Sequence, residues 1–180
     1  LEQLWNDGDF TEGVAVGPDG RIYFSDISSS VQESGTIHVF DPVSSKVSTY
    51  CAASGKSNGL MFDRQGRLIA CCGANNGLLA LCEARPDGSM QPLVERFEGK
   101  RFASPNDLVI HARGWIYFSD PRYVGAEPME VDQMRVYLFD PKDRSVKAVS
   151  SEGLIQKPNG LALSPDQRTL YVAETNNGSL

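Results

Sequence analysis

The chain has few of the residues on which many metal centres and hydrolases depend. Its 180 residues include two histidines, His38 and His111, and four cysteines, at positions 51, 71, 72 and 82, that form no Cys-x-x-Cys pair. A zinc site built from Cys and His ligands is therefore not expected. One histidine falls in a strand-like run and the other just before a turn, which favours structural roles over a serine-hydrolase triad.

The chain also lacks long apolar runs and basic clusters. No stretch approaches the roughly 18 apolar residues that span a bilayer, and no charged-then-apolar signal segment opens the sequence. Asp and Glu number 23 against 17 scattered Lys and Arg, which gives a net charge of −6. We therefore expect neither nucleic acid nor a membrane as a partner, and an acidic surface suits a cation better.

Location and assembly are weakly marked in the sequence. Cysteines without an evident pairing favour a reducing compartment, so the cytoplasm is expected in preference to the periplasm or the exterior. Leu1 is not an initiator residue, and the true N-terminus is expected to lie upstream. The oligomeric state is left open.

A single pattern occurs four times along the chain. Each copy has a polar residue, then Gly or Asp, a short apolar run, a turn, and a strand that ends near Asp, Cys or Glu. The leading polar residues lie about 50 positions apart and are Glu12, Asn58, Asn106 and Asn159. A second pair of strand-like runs follows each of the first three copies, so each unit is predicted to have four strands.

These units predict an all-β fold. No segment shows a helical period over three turns, and runs such as Ile22-Tyr23-Phe24 are apolar at consecutive positions. Consecutive apolar positions indicate strands covered on both faces, as in sheets that stack face to face. Repeated four-stranded units of this length predict a β-propeller, with a β-sandwich as the alternative.

The repeat also predicts the blade boundaries. Blades of four antiparallel strands are expected near residues 12–50, 58–94, 106–150 and 159–180, with residues 1–9 as the outer strand of a preceding blade. A closed propeller usually has 4–8 blades. The chain is therefore predicted to be a single incomplete propeller domain, a fragment of about four blades.

The leading residues of the four copies suggest a site. The innermost strands of successive blades surround a central channel, so Glu12, Asn58, Asn106 and Asn159 are predicted to converge at one mouth of that channel. One carboxylate and three amide oxygens form a hard-oxygen set that suits Ca²⁺ or Mg²⁺. The alternative is that these asparagines only form turns, because Asn-Gly and Asn-Asp are common turn sequences.

Three segments carry a resemblance to a known family. They are FTEGVAVGPDGRIYFSD from Phe10, the Ser-Pro-Asn-Asp stretch at 104–107 with Tyr-Phe-Ser-Asp-Pro at 117–121, and Lys-Pro-Asn-Gly-Leu at 157–161. Together they resemble the SMP-30/gluconolactonase/LRE-like group of six-bladed propellers. The resemblance covers nearly the whole chain.

The resemblance implies a divalent cation at the channel mouth, usually calcium, with Mg²⁺, Zn²⁺ or Mn²⁺ as alternatives. Glu12 and Asn159 match two of its ligands, and Asn106 matches a residue that is a further ligand or a substrate contact. Arg101 matches a basic position near the substrate pocket. The Asp that acts as last ligand and general base is expected past Leu180, so no catalytic residue is assigned in this chain.

The implied reaction is the metal-dependent hydrolysis of a sugar lactone, a small-molecule substrate, by the intact protein; the fragment alone is not expected to suffice. The substrate pocket is predicted to include Asn58, Arg101, Asn106, Asp107 and Tyr123. Asp107 has the alternative of capping a turn, and Tyr123 that of packing. Two other functions stay open, namely a propeller that binds ligands or proteins without catalysis, and a hydrolase of other esters or phosphotriesters on the same metal site.

Overall fold

The computed structural model describes residues 2–150, 153 and 155–175, and this part of the chain forms sixteen β-strands. The first sheet contains β1 (Thr11–Val16), β2 (Ile22–Asp26), β3 (Thr36–Asp41) and β4 (Lys46–Cys51). The second contains β5 (Ser57–Phe62), β6 (Leu68–Cys72), β7 (Ala80–Ala84) and β8 (Met90–Val94). A short hairpin follows, made of β9 (Arg96–Phe97) and β10 (Lys100–Arg101).

The third sheet contains β11 (Leu108–Ile110), β12 (Ile116–Asp120), β13 (Arg135–Asp140) and β14 (Ser145–Ala148). A last hairpin joins β15 (Pro158–Leu163) to β16 (Leu170–Glu174). Within each four-stranded sheet the strands pair in chain order and antiparallel. The predicted final stretch of the fourth blade, 176–180, lies outside the described residues. No helix long and apolar enough to cross a membrane occurs in the part of the chain that is described.

The sheets stack through two apolar layers. One layer joins the first and second sheets and includes Tyr23, Ile37 and Leu68, and the other joins the second and third sheets and includes Ile69 and Phe118. All five residues of β6 are buried, because alternate side chains enter the two layers. This arrangement confirms the prediction of strands covered on both faces, and with it the β-propeller.

The cysteines belong to these layers. Cys51, Cys72 and Cys82 lie in the first layer and Cys71 in the second. All four are buried and carry free thiols. Burial raises the pKa of Cys71 well above the usual thiol range, and a hydrogen bond with Cys82, together with burial, does the same to the pKa of Cys72. They act as small apolar side chains.

The first residues differ from the prediction of an outer strand over residues 1–9. Residues 2–8 belong to no strand, and Leu1 lies outside the described residues. Trp5 instead packs on the first sheet, with its ring 5.3 Å from Phe24 and 4.8 Å from His38. An outer strand needs a third strand of its own blade to pair with, and none of the sixteen strands is available for that pairing.

Neighbouring innermost strands approach closely where a glycine follows the leading polar residue. Gly13 has a φ of 57°, and a Cβ atom there would lie 1.8 Å from the carbonyl oxygen of Asn58 in the next blade. In the next repeat, Gly59 donates its N–H to the carbonyl of Asn106 at 2.7 Å. The Gly of the repeat therefore lets one blade rest against the backbone of the next.

Candidate functional site

A cavity of about 620 Å³ opens where the innermost strands begin. The four leading residues of the repeats all line it: Glu12, Asn58, Asn106 and Asn159. Tyr123, predicted as a substrate contact, lines it as well. The structure thus brings five of the predicted site residues to one cavity.

A β-bulge aims the leading residue in each repeat. The pairing of β1 with β2 shifts register between Glu12 and Ala15, and the same shift occurs from Ser57 to Leu60 and from Pro158 to Leu161. A bulge places an extra residue on one strand and turns its side chain away from the regular alternation.

The third repeat reaches the same result just before its first strand. Asn106 donates its N–H to the carbonyl of Ser119 at 2.9 Å, and the N–H of Ser119 returns to the carbonyl of Asp107 at 2.9 Å. Two residues therefore face one, as in a bulge. The repeat seen in the sequence is thus a repeat of backbone geometry that points one polar side chain per blade at the cavity.

Within residues 2–150, 153 and 155–175, the oxygens of these side chains make no hydrogen bond. Glu12 is exposed, and within the described residues neither its carboxylate nor the side-chain amides of Asn58 and Asn106 make a hydrogen bond. Asn159 donates its Nδ2 to the hydroxyl of Tyr123 at 3.0 Å, which leaves its Oδ1 as an acceptor. The residues that line the cavity therefore supply one carboxylate and three amide oxygens that make no hydrogen bond with the rest of the described chain.

This donor set suits a hard divalent cation. Carboxylate and amide oxygens are the ligands that Ca²⁺ and Mg²⁺ prefer. Among the described residues no group of three or more His, Cys, Asp or Glu side chains is placed to hold a metal, so a cation site here depends on the asparagines. Glu12, Asn106 and Asn159 are the residues that would hold it.

Tyr123 is held between two residues of the last repeat. Besides accepting the amide of Asn159, its ring lies beneath the ammonium of Lys157, 4.4 Å from the ring centroid. Such a cation–π contact fixes the plane of the ring. Because the hydroxyl oxygen accepts from Asn159, its own hydrogen is available to a substrate in the cavity.

Two predicted substrate residues do not line this cavity. Arg101 lies in the β9–β10 hairpin, where its backbone N–H donates to Glu130 at 2.8 Å, and it is not among the lining residues. Asp107 lies between the blades, because its Oδ2 accepts the N–H of Leu161 at 2.7 Å. The carboxylate of Asp107 thus bridges the third blade to the fourth at the position where other repeats have glycine.

Lys56 lines the cavity and was not singled out from the sequence. Its side chain is 2% exposed, and its ammonium donates to the carbonyls of Ser28 and Ser30, each at 2.6 Å. Burial lowers the pKa of Lys56. The lysine therefore fastens a loop of the first blade at the cavity rim, a contact that no local sequence pattern indicates.

Residues 55–59 fit Gly-x-Ser-x-Gly, the sequence of a nucleophile elbow. In the structure Ser57 is fully buried at the start of β5, and its Oγ lies 2.9 Å from the Oγ of Ser25. Neither histidine lines the cavity. The motif serves packing between the first two blades and does not form a serine nucleophile.

Asp120, at the end of β12, is fully buried. Its two oxygens accept the N–H groups of Ala103 and Ser104 at 2.8 and 2.6 Å, directly before Pro105 and Asn106. Burial raises the pKa of Asp120 to about 7, although these two hydrogen bonds and nearby Arg122 act in the opposite direction. Loss of solvation therefore outweighs the hydrogen bonds.

This pKa predicts a pH-dependent stability. Between the ordinary value of 3.8 and about 7, the folded protein holds the proton and the unfolded chain does not, so stability from this group falls as pH rises through that window. The loss is at most about 4 kcal/mol, at about 1.4 kcal/mol per pKa unit. Urea unfolding at pH 5 and pH 8 covers about two pH units of that window, so we expect a fall of about 3 kcal/mol in the wild type and none from this group in Asp120→Asn. Equal differences in the two proteins would contradict it.

Known proteins resemble this chain over most of its length. A model of the SMP-30/Gluconolactonase/LRE-like region matches residues 10–180. A gluconolactonase of Zymomonas mobilis is 28% identical over 99% of this chain and 52% of its own length. The lactonase drp35 of Staphylococcus epidermidis is 24% identical over 94% of this chain and 49% of its own.

A solved structure of the gluconolactonase XC5397 from Xanthomonas campestris superposes with a TM-score of 0.84 at 30% identity, covering 96% of this chain and 57% of that one. The chain spans about half the length of the curated relatives it matches. Sequence and fold agree over nearly all of the chain. The chain belongs to the SMP-30/gluconolactonase/LRE-like family.

Proposed function

We propose that the whole protein hydrolyses a lactone, with a sugar lactone as substrate and calcium as the bound cation, at the cavity lined by Glu12, Asn58, Asn106 and Asn159. The observation that carries this proposal is that four residues from four repeats line one cavity, with side-chain oxygens that make no hydrogen bond within the described residues. The relatives named gluconolactonase and lactonase support the reaction class.

The roles of the side chains follow from their chemistry. Glu12 would be the negatively charged ligand of the cation, and the amide oxygens of Asn106 and Asn159 would be neutral ligands. A divalent cation held there would polarise the lactone carbonyl as a Lewis acid and stabilise negative charge on its oxygen. Asn58 and the hydroxyl of Tyr123 are placed to hydrogen-bond the hydroxyl groups of a sugar lactone.

The general base is not assigned among the described residues. Besides Glu12, Asp9 is the carboxylate that lines the cavity, and it accepts the N–H of Ser29 at 2.7 Å. That hydrogen bond lowers the pKa of Asp9 and makes it a weak proton acceptor. The expectation of an Asp past Leu180 therefore stays a prediction.

The test is to measure hydrolysis of glucono-1,5-lactone by the whole protein before and after treatment with EDTA. Release of protons by the acid product gives the rate. We expect the rate to fall to that of the uncatalysed reaction with chelator and to return when Ca²⁺ is added. Addition of Mg²⁺, Zn²⁺ or Mn²⁺ identifies the cation. Full turnover in chelator would contradict metal dependence.

The other functions are outcomes of the same assay. Calcium binding without turnover of any lactone would favour a binding propeller. If the protein hydrolyses an aryl ester or a phosphotriester but not glucono-1,5-lactone, the same site would belong to a hydrolase of those other esters.

A further inference from the structure

A second repeated contact lies behind the cavity. In the first blade, Asp26 ends β2, and its Oδ1 accepts the N–H groups of Asp9 and Phe10 at 2.9 and 3.1 Å. These amides stand three and two positions before Glu12. One carboxylate thus holds both peptide groups that lead into the residue at the cavity.

The same contact recurs at the same offsets in two other blades. Asp120 ends β12 and accepts the N–H groups of Ala103 and Ser104, three and two positions before Asn106. Glu174 ends β16, and its Oε1 accepts from Gln156 and Lys157 at 2.6 and 3.3 Å, three and two positions before Asn159. The acidic residue that closes the repeated sequence pattern is therefore a clamp on the backbone before the leading residue; Asp26, Asp120 and Glu174 are called the carboxylate clamps below.

The second blade has no carboxylate clamp. Cys72 ends β6 at the equivalent point, and its thiol donates to the carbonyl of Ser54 at 3.4 Å. The amides three and two positions before Asn58 belong to Gly55 and Lys56, and they donate instead to Oγ and the carbonyl of Ser34, at 2.9 and 2.6 Å. A thiol is a weak hydrogen-bond acceptor. Ser34 of the first blade therefore accepts the two amides in place of Cys72.

The clamps restrict the leading residue because little backbone separates the two. A single residue lies between each clamped pair and the leading side chain: Thr11, Pro105 or Pro158. Two N–H bonds to one carboxylate fix two successive peptide planes, and proline fixes its own φ near −65°.

We infer that Asp26, Asp120 and Glu174 are positioning residues that aim Glu12, Asn106 and Asn159 at one shared cation, and that unclamped Asn58 serves the substrate instead. This inference rests on the proposed function, since it assumes that a cation binds in the cavity. The presence or absence of a carboxylate clamp thus separates the three predicted cation ligands from Asn58. Removing a clamp should weaken cation binding while the fold persists.

The experiment measures Ca²⁺ affinity by isothermal titration calorimetry in four forms of the whole protein: wild type, Asp26→Ala, Asp26→Asn and Cys72→Ala. Removal of a residue that orients metal ligands typically lowers affinity about 10–100-fold, and this is the fall expected for Asp26→Ala. Asp26→Asn keeps an oxygen that accepts both amides and should recover most of the affinity. Cys72→Ala removes a buried side chain at the equivalent position without touching a clamp, so its affinity should match the wild type.

Hydrogen–deuterium exchange tests the clamp without any metal. Asp26→Ala should lose protection at the amides of Asp9 and Phe10, and thermal unfolding should show that it remains folded. A wild type that binds no Ca²⁺ would overturn the proposed function and the inference with it. A wild type that binds, with equal affinity in Asp26→Ala despite lost amide protection, would overturn the inference alone.

Discussion

Replacing Glu12 by glutamine is expected to lower the Ca²⁺ affinity of the whole protein at least about 100-fold, because ligand charge is a main determinant of calcium affinity. Glu12 is the carboxylate at the cavity that makes no hydrogen bond within the described residues, since Asp9 is bonded to Ser29. The substitution keeps the shape of the side chain and removes its charge. Lactone turnover at micromolar Ca²⁺ should fall with the affinity, and high Ca²⁺ should restore part of it.

Glu95→Gln is a matched control for this substitution. Glu95 is exposed and does not line the cavity, so the same change of charge there should leave both affinity and turnover at the wild-type value. Calorimetry gives the affinity, and a calcium titration of the rate gives an independent value. Turnover and affinity that are unchanged in Glu12→Gln would remove Glu12 from the cation site.

The repeat alone predicted that Glu12, Asn58, Asn106 and Asn159 lie together, and all four line one cavity. In a propeller, equivalent positions of successive blades are related by rotation about one axis, so a polar residue that recurs at one point of the repeat must recur around the channel. Glu12, Asn58, Asn106 and Asn159 were found in this way. The fold class followed from the same repeat, together with apolar runs that cover both strand faces.

Features that depend on contacts between segments could not be predicted in this way. Arg101 lies five residues before Asn106 in the sequence, yet it belongs to the short β9–β10 hairpin and does not line the cavity. The buried ammonium of Lys56 is paired with carbonyls 26 and 28 positions away. The Asp, Cys or Glu that closes each repeat was visible, whereas its action on the amides before the leading residue needs the folded loop.

The contact between Gly13 and the backbone of Asn58 holds the first two blades together. We expect Gly13→Ala to destabilise the protein by about 2–5 kcal/mol, from roughly 1–2 kcal/mol for a left-handed backbone and a further 1–3 kcal/mol for overpacking. The added Cβ would lie 1.8 Å from the carbonyl oxygen of Asn58 and 2.6 Å from its carbon. A backbone carbonyl cannot rotate away as a flexible side chain can, so the first two blades must separate.

Gly20→Ala separates the two causes of that loss. Gly20 has a φ of 79°, similar to that of Gly13, yet a Cβ there would meet no atom within 4 Å. It should therefore cost only the backbone part, about 1–2 kcal/mol, when both variants are compared by urea unfolding. The excess for Gly13→Ala measures how tightly the innermost strands of the first two blades are held together. Because Asn58 moves with that contact, the same variant should also disturb the substrate side of the cavity, whereas equal losses in the two variants would mean that the blades can part without cost.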